Sequence, residues 1–146
     1  MSAPEYPWPW SVDRPDRILG LFAHPDDEVF CCGGLMAQHS ATGAATAVLS
    51  LTRGEAGQIR DASLATRRTL GARRRAELEA AAGALGVGHV WCLDHADGTL
   101  DRIDRDALVA DALGIAESFG PDVIISFGPD GGYGHPDHVT VSEVAA

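Results

Sequence analysis

Two short blocks rich in histidine and aspartate contain the side chains of this chain that are best suited to catalysis. The first block is His24-Pro25-Asp26-Asp27-Glu28, and the second is His135-Pro136-Asp137-His138. Each block places imidazole or carboxylate groups three residues apart and keeps a further group able to transfer a proton. A catalytic zinc ion commonly binds three protein nitrogen or oxygen ligands and one water molecule. The two blocks together therefore predict a hydrolytic metal site.

Metal ligands and a general base can be assigned from these spacings. His24 and Asp27 offer two ligands from a single turn, and His138 offers the third from the second block. Zinc suits this set of ligands, and iron(II) or another divalent cation is also compatible with it. Asp26 lies beside a ligand without being one, so we expect it to accept the proton of the attacking water.

The second block also offers groups for the oxyanion and for the leaving amine. His135, as an imidazolium, would stabilise an oxyanion or protonate an amine, and Asp137 would hold its ring and raise its pKa. Tyr133 would donate a further hydrogen bond to the oxyanion. The alternative is that His135 and Tyr133 are ordinary turn residues, and that Asp26 and Asp27 only cap a helix.

Arg74 interrupts the apolar face of a predicted helix. Leu70 and Leu78 lie on the same face, and an arginine that points inward is unfavourable unless it is paired. A bound ligand or a carboxylate partner would explain its position. The alternative is that the aliphatic stem lies along the core while the guanidinium stays in water.

Strands and helices alternate along the chain in the order of βαβ units. Strands are predicted at 17–22, 45–51, 90–93 and 122–126, the last of them buried, and helices at 28–42, 66–85, 105–119 and from Pro136 onward. This order predicts an α/β fold with a mainly parallel sheet. Ligands of such sheets bind at the carboxyl ends of the strands. Both blocks are predicted to lie there, so the fold itself would bring them together.

Length, charge and cysteine content restrict the class of protein. A length of 146 residues suits one domain, which is predicted at 17–146 after an N-terminal arm at 1–16. The sequence stops soon after His138, which predicts a C-terminally incomplete fold. No apolar run is long enough to span a bilayer. The net charge of −10 makes nucleic acid an unfavourable partner. Three cysteines without a CxxC pair indicate reduced thiols in a cytoplasmic protein, and a homo-oligomer is compatible with the sequence.

The two blocks resemble the paired signatures of the LmbE-like (PIG-L) N-acetylglucosaminyl deacetylases. The similarity extends from about Arg17 to the C-terminus and includes segments 52–57, 74–78 and 85–87 together with Asp97-Gly98. This resemblance implies a Rossmann-like, three-layer fold with helices on both faces of the sheet. It also implies zinc-dependent removal of an N-acetyl group from a small amino sugar or a glycoconjugate.

The resemblance further implies a role for each site residue. It implies that His24, Asp27 and His138 bind zinc and that Asp26 is the general base. It also implies that His135, oriented by Asp137, is the electrophilic or acid partner. Tyr133 would then assist the oxyanion, and Arg74 would bind the substrate. Two other functions are kept as alternatives. One is a non-catalytic, metal-binding remnant or interaction module of the same fold. The other is a phosphoester hydrolase, which the acidic charge and the absence of lysine oppose.

Overall fold

Residues 17–146 are described by the computed structural model, and they form a parallel sheet covered by helices. The strands are β1 (Ile18–Phe22), β2 (Thr46–Thr52), β3 (His89–His95) and β4 (Val123–Ile125). The helices are α1 (Asp27–Ala41), α2 (Leu70–Leu85), α3 (Arg105–Phe119) and α4 (Pro136–Ala145), with a 3-10 turn at Leu100–Arg102. The predicted α/β class is confirmed. The predicted N-terminal arm, 1–16, lies outside the described residues.

The order of the strands creates a crevice beside β1. Within residues 17–146 the sheet has the order β3-β2-β1-β4, and all neighbouring strands are parallel. The chain proceeds from β1 through β2 to β3 on one side, whereas β4 pairs with the other side of β1. The loops that leave β1 and β4 diverge at this switch point, where ligands of doubly wound sheets bind. The first block follows β1, and the second block forms the N-cap and first turn of α4, directly after the loop that leaves β4.

Alternating side chains of the central strands form a core on each face of the sheet. On one face Ile18, Phe22 and Val48 pack with Cys32, Met36, Leu78 and Ala82 of α1 and α2. On the other face Leu19, Leu21 and Leu49 pack with Leu108, Ala112, Phe119 and Val141 of α3 and α4. This is the expected three-layer arrangement. None of the helices within residues 17–146 is both long and apolar enough to cross a membrane.

The last strand differs from the prediction of a buried strand at 122–126. β4 is three residues long, lies at the edge of the described sheet and leaves Ile124 42% exposed. A short apolar run in the sequence is compatible with either an edge strand or a central strand. Which of the two forms depends on the strands that pair with it, and the run itself does not specify those partners. The short pairing with β1 nevertheless suffices to place the second block next to the first.

Candidate active site

The first block occupies a tight, strained turn between β1 and α1. The carbonyl oxygen of Ala23 accepts hydrogen bonds from the Thr52 backbone N–H (3.0 Å) and hydroxyl (2.8 Å), which fixes the end of β1 on β2. Asp26 then has φ 101°, the only positive φ of a non-glycine residue within 17–146. Such a conformation costs about 1–3 kcal/mol. It separates two consecutive carboxylates: Asp27 is buried, whereas the Asp26 side chain is 56% exposed.

The donor atoms of the three predicted metal ligands meet at the switch point. His24 Nδ1 lies 3.2 Å from His138 Nε2, and oxygens of the Asp27 carboxylate lie 3.5 Å from the first nitrogen and 3.4 Å from the second. All three residues are buried. Ligands at 2.0–2.1 Å from a tetrahedral zinc ion are about 3.3–3.4 Å from one another. The two ring nitrogens therefore have the spacing that a zinc ion requires, and the Asp27 carboxylate presents a different oxygen to each of them.

The surroundings of the two imidazoles leave a position for a cation between them. His24 Nε2 contacts the Asp137 carboxylate at 3.0 Å, and His138 Nδ1 contacts the Gly131 carbonyl oxygen at 3.1 Å. Both partners are acceptors, so these ring nitrogens carry the protons, and the nitrogens that face each other present lone pairs. Two lone pairs 3.2 Å apart repel each other unless a positive charge lies between them. A metal cation or a proton meets that requirement.

Three carboxylates surround His24. Asp97 and Asp137 contact its Nε2 at 2.9 and 3.0 Å, and Asp27 lies beside its Nδ1. Burial lowers the pKa of His24, but hydrogen bonds to Asp137, Asp27 and Asp97 outweigh it and raise the pKa to about 11. The excess of negative charge around this ring favours a cation in the site.

The Asp137 carboxylate hydrogen-bonds to the ring of His24 and not to that of His135, which corrects the predicted pairing of Asp137 with His135. It is fully buried and accepts hydrogen bonds from the backbone N–H groups of Gly98 (2.8 Å) and Leu100 (3.0 Å). His135 instead caps α4, and its Nδ1 accepts a hydrogen bond from the Asp137 backbone N–H at 3.1 Å. The two side chains diverge because His135 precedes the helix, whereas Asp137 lies in its first turn. Because Nδ1 accepts this hydrogen bond, the proton of the neutral His135 ring lies on Nε2.

Arg74 extends from α2 into the turn of the first block. Its guanidinium donates hydrogen bonds to the Asp26 carboxylate (2.9 Å) and to the carbonyl oxygens of Pro25 (2.6 Å) and Gly54 (2.8 Å). Asp26 is therefore the carboxylate partner that was expected for an arginine pointing inward from this helix face. Burial raises the pKa of Asp26, and the nearby Arg74 opposes this only in part, so the pKa lies above its ordinary value. A raised pKa suits a carboxylate that must accept a proton near neutral pH.

A cleft of about 290 Å³ opens over these groups. It brings together every predicted site residue except Asp137. Tyr133 borders the cleft while remaining 77% exposed, and its ring meets that of His135 edge-on at 6.0 Å between centroids. The lining residues are His24, Asp26, Asp27, Ala56, Gly57, Arg74, Asp97, Gly98, Tyr133, His135 and His138.

Packing fixes the ring of His138. The ring stacks on Phe127 with 4.0 Å between centroids, and His135 stacks against it at 4.7 Å. Gly131 must be glycine, because its φ is +65° and a Cβ there would lie 2.9 Å from His138 Cβ. Ring nitrogens of His24, His135 and His138 lie within 4.8 Å of one another. The oxygens of the Asp27 carboxylate lie 3.4–3.5 Å from His24 Nδ1 and His138 Nε2, so Asp27 and His135 both border the position between these two nitrogens.

Two acidic residues of the site were missed by the sequence prediction. Asp97 contacts His24 and also accepts a hydrogen bond from the Ala56 backbone N–H at 2.8 Å. Its location after β3, at the same edge of the sheet as both blocks, is the signal that would have identified it. Glu28 is 1% exposed and accepts a hydrogen bond from the Asp26 backbone N–H. Its only sequence signal is its place in the first block.

Comparison with known proteins identifies relatives over nearly the whole chain. The family model described as "PIG-L: GlcNAc-PI de-N-acetylase" matches residues 19–146. A 1D-myo-inositol 2-acetamido-2-deoxy-alpha-D-glucopyranoside deacetylase from Mycobacterium sp. (strain KMS) is 40% identical over 148 residues, which cover 88% of this chain and 48% of that protein. The chain spans about half the length of the curated relatives it matches.

Solved structures with the same fold include two kinds of enzyme. The N,N'-diacetylchitobiose deacetylase from Pyrococcus horikoshii has a TM-score of 0.78 and 30% identity, covering 93% of this chain and 51% of that chain. GalB, the 4-carboxy-2-hydroxymuconate hydratase from Pseudomonas putida KT2440, has a TM-score of 0.74 and 30% identity, covering 88% of this chain and 54% of that chain. The same fold thus carries both a deacetylase and a hydratase.

Proposed function

The chain belongs to the PIG-L family of de-N-acetylases, and from that premise we propose that it is a metal-dependent hydrolase that removes an acetyl group from an N-acetylglucosamine-type sugar. The observation that carries this proposal is the close approach of His24 Nδ1, His138 Nε2 and the two oxygens of the Asp27 carboxylate, at separations of 3.2–3.5 Å, beside the exposed carboxylate of Asp26. Deacetylases occur among the relatives, and this supports an N-acetyl amide as the class of substrate. A cytoplasmic location and a homo-oligomeric state stay predictions.

The donor set fits zinc as the proposed cation, with iron(II) or another divalent ion as the alternative. His24, Asp27 and His138 would hold the ion. When bound, it would lower the pKa of a coordinated water and polarise the acetyl carbonyl group. Asp97 and Asp137 would orient the His24 ring through its Nε2.

Proton transfer in the proposed reaction centres on Asp26. Its carboxylate accepts a proton from the water whose oxygen attacks the acetyl carbon, and it returns that proton to the amine nitrogen as the C–N bond breaks. Acetate and the free amine are the products. Neutral His135 donates a hydrogen bond from its Nε2–H to the oxyanion. It keeps that proton, because losing it would leave an unfavourable imidazolate. Tyr133 donates a second hydrogen bond from the rim of the cleft.

Arg74 would contribute to both the base and the substrate. Three of its five N–H groups bond to Asp26, Pro25 and Gly54. Arg74 also lines the cleft, where a further N–H of its guanidinium would donate to a sugar hydroxyl. A substrate-binding role for Arg74 is therefore compatible with its contact to the proposed base.

The test is acetate release by the chain loaded with Zn²⁺ or Fe²⁺, compared with the chelated protein. Substrates should include N-acetylglucosamine, its inositol glycoside and N,N'-diacetylchitobiose, with 4-carboxy-2-hydroxymuconate and nitrophenyl phosphate as tests for a hydratase and a phosphoesterase. We expect acetate release from an N-acetyl sugar that the chelator abolishes. Stoichiometric metal binding with no turnover of any of these compounds would favour the non-catalytic, metal-binding alternative.

Replacing Asp137 with asparagine is expected to weaken zinc binding about 10- to 100-fold, because an amide holds the His24 N–H less strongly than a carboxylate does. The affinity can be measured by competition with a chelator at neutral pH. Asp111→Asn is a matched control, since Asp111 contacts His95 Nε2 at 2.9 Å outside the cleft. Equal zinc affinities of Asp137→Asn and the wild type would contradict the orienting role.

A further inference from the structure

We propose that Glu28 is a positioning residue that holds Asp26 in its catalytic orientation, an inference that rests on the function proposed above. Glu28 is almost completely buried, and its Oε2 accepts a hydrogen bond from the Asp26 backbone N–H at 2.9 Å. The three consecutive acids of the first block then have three different tasks. Asp27 binds the cation, Asp26 transfers the proton, and Glu28 fixes the backbone that keeps the other two apart.

The backbone of Asp26 needs such a contact. Its φ of 101° and ψ of −26° form a left-handed conformation that residues other than glycine rarely adopt. A strained residue persists only where its surroundings determine its conformation. As the N-cap of α1, Asp26 has no side-chain capping hydrogen bond, and the Glu28 carboxylate reaches back to satisfy its N–H. Without that acceptor, relaxation of φ to negative values would turn the Asp26 carboxylate away from the cleft.

Glu28 and Arg74 hold Asp26 from opposite ends. Glu28 fixes the backbone N–H, and Arg74 of α2 fixes the carboxylate Oδ2 at 2.9 Å. Glu28 also keeps a buried Oε1 that has no hydrogen-bond partner among residues 17–146. A buried oxygen without a partner destabilises a fold. The arrangement therefore serves the geometry of the turn more than the stability of the protein.

Two substitutions separate the reach of Glu28 from its charge. Glu28→Gln keeps the length and a carbonyl oxygen that accepts the Asp26 N–H, whereas Glu28→Asp keeps the charge but is one methylene shorter. We expect kcat within about fivefold of wild type for Glu28→Gln and about 100-fold lower for Glu28→Asp, because small misplacements of a catalytic group reduce rates this strongly. KM and bound zinc should be unchanged in both. A higher kcat for Glu28→Asp than for Glu28→Gln would overturn the proposal.

Amide hydrogen exchange of Asp26, followed by NMR in the metal-free protein, tests the contact without any turnover. We expect slow exchange in the wild type and in Glu28→Gln, and exchange at least about tenfold faster in Glu28→Asp. Equal exchange rates in all three proteins would overturn the proposal. Absence of deacetylase activity in the wild type would instead contradict the proposed function, so the two failures are distinguishable.

A double-substitution experiment distinguishes positioning from a general role in folding. Asp26→Gly removes the base and accepts a positive φ without strain, so Glu28 then has nothing to position. Glu28→Asp in this background should change the residual kcat by less than about twofold, because the two effects are not additive when one residue acts through the other. An equal loss of kcat in both backgrounds, accompanied by a lower Tm, would show a structural role and overturn the proposal.

Discussion

Replacement of Asp26 by asparagine is expected to lower kcat about 100- to 10,000-fold, the usual contribution of a general base, while zinc binding is retained. Asparagine has the shape of aspartate and tolerates a positive φ, so the turn at φ 101° should persist. The amide is unable to accept the proton of the attacking water. Steady-state kinetics on an N-acetyl sugar, together with the zinc content of the same sample, measure the effect.

The control for this substitution is Glu117→Gln on α3. Glu117 is exposed and does not border the cleft, so the same change of charge should leave kcat and zinc content unaltered. A kcat of Asp26→Asn within about tenfold of the wild type would exclude Asp26 as the base.

Replacement of His138 by alanine is expected to abolish both zinc binding and activity. Loss of one of three protein ligands should weaken zinc binding by more than the roughly 100-fold expected when only an orienting residue is removed. His138→Gln, which fills more of the space between Phe127 and His135, should lose zinc in the same way. Zinc content after dialysis and competition with a chelator provide the measurement.

His89→Ala is the matched control for the ligand substitution. His89 is exposed and begins β3, so it lies at the edge of the sheet opposite to the cleft. We expect its removal to leave zinc binding and kcat at wild-type values. Full zinc occupancy of His138→Ala would refute the ligand set of His24, Asp27 and His138, and His135 would then be the next candidate ligand.

Elements with local signals were predicted well from the sequence. α3 was predicted to the residue, Arg105–Phe119, because its apolar positions repeat with helical spacing and Gly120 ends it with φ 68°. α2 begins at Leu70, later than the predicted residue 66. The Thr69 hydroxyl accepts a hydrogen bond from the Thr66 backbone N–H and holds the preceding residues in a turn. Such side-chain competition with a helix has no clear periodic signal.

The family and the position of the site could be predicted, whereas the partners of the site residues could not. The PIG-L resemblance, inferred from the two blocks, is confirmed by the match over residues 19–146. Asp137 was paired with His135 because the two are neighbours in sequence, yet its carboxylate contacts His24, 113 residues away. Arg74 likewise reaches the Asp26 carboxylate across 48 residues of sequence. Such contacts arise from tertiary packing, which no local pattern encodes.

The pairing of β1 with β4 determines at what stage of folding the chain can bind the metal ion. The Ser126 hydroxyl reaches the Leu21 carbonyl oxygen across 105 residues of sequence, and closing so long a loop is among the slow events of folding. The proposed ligands come from both sides of this junction. A growing or refolding chain is therefore expected to gain tight affinity for the ion only after β1 and β4 have paired, and the time course of metal uptake would report that late event.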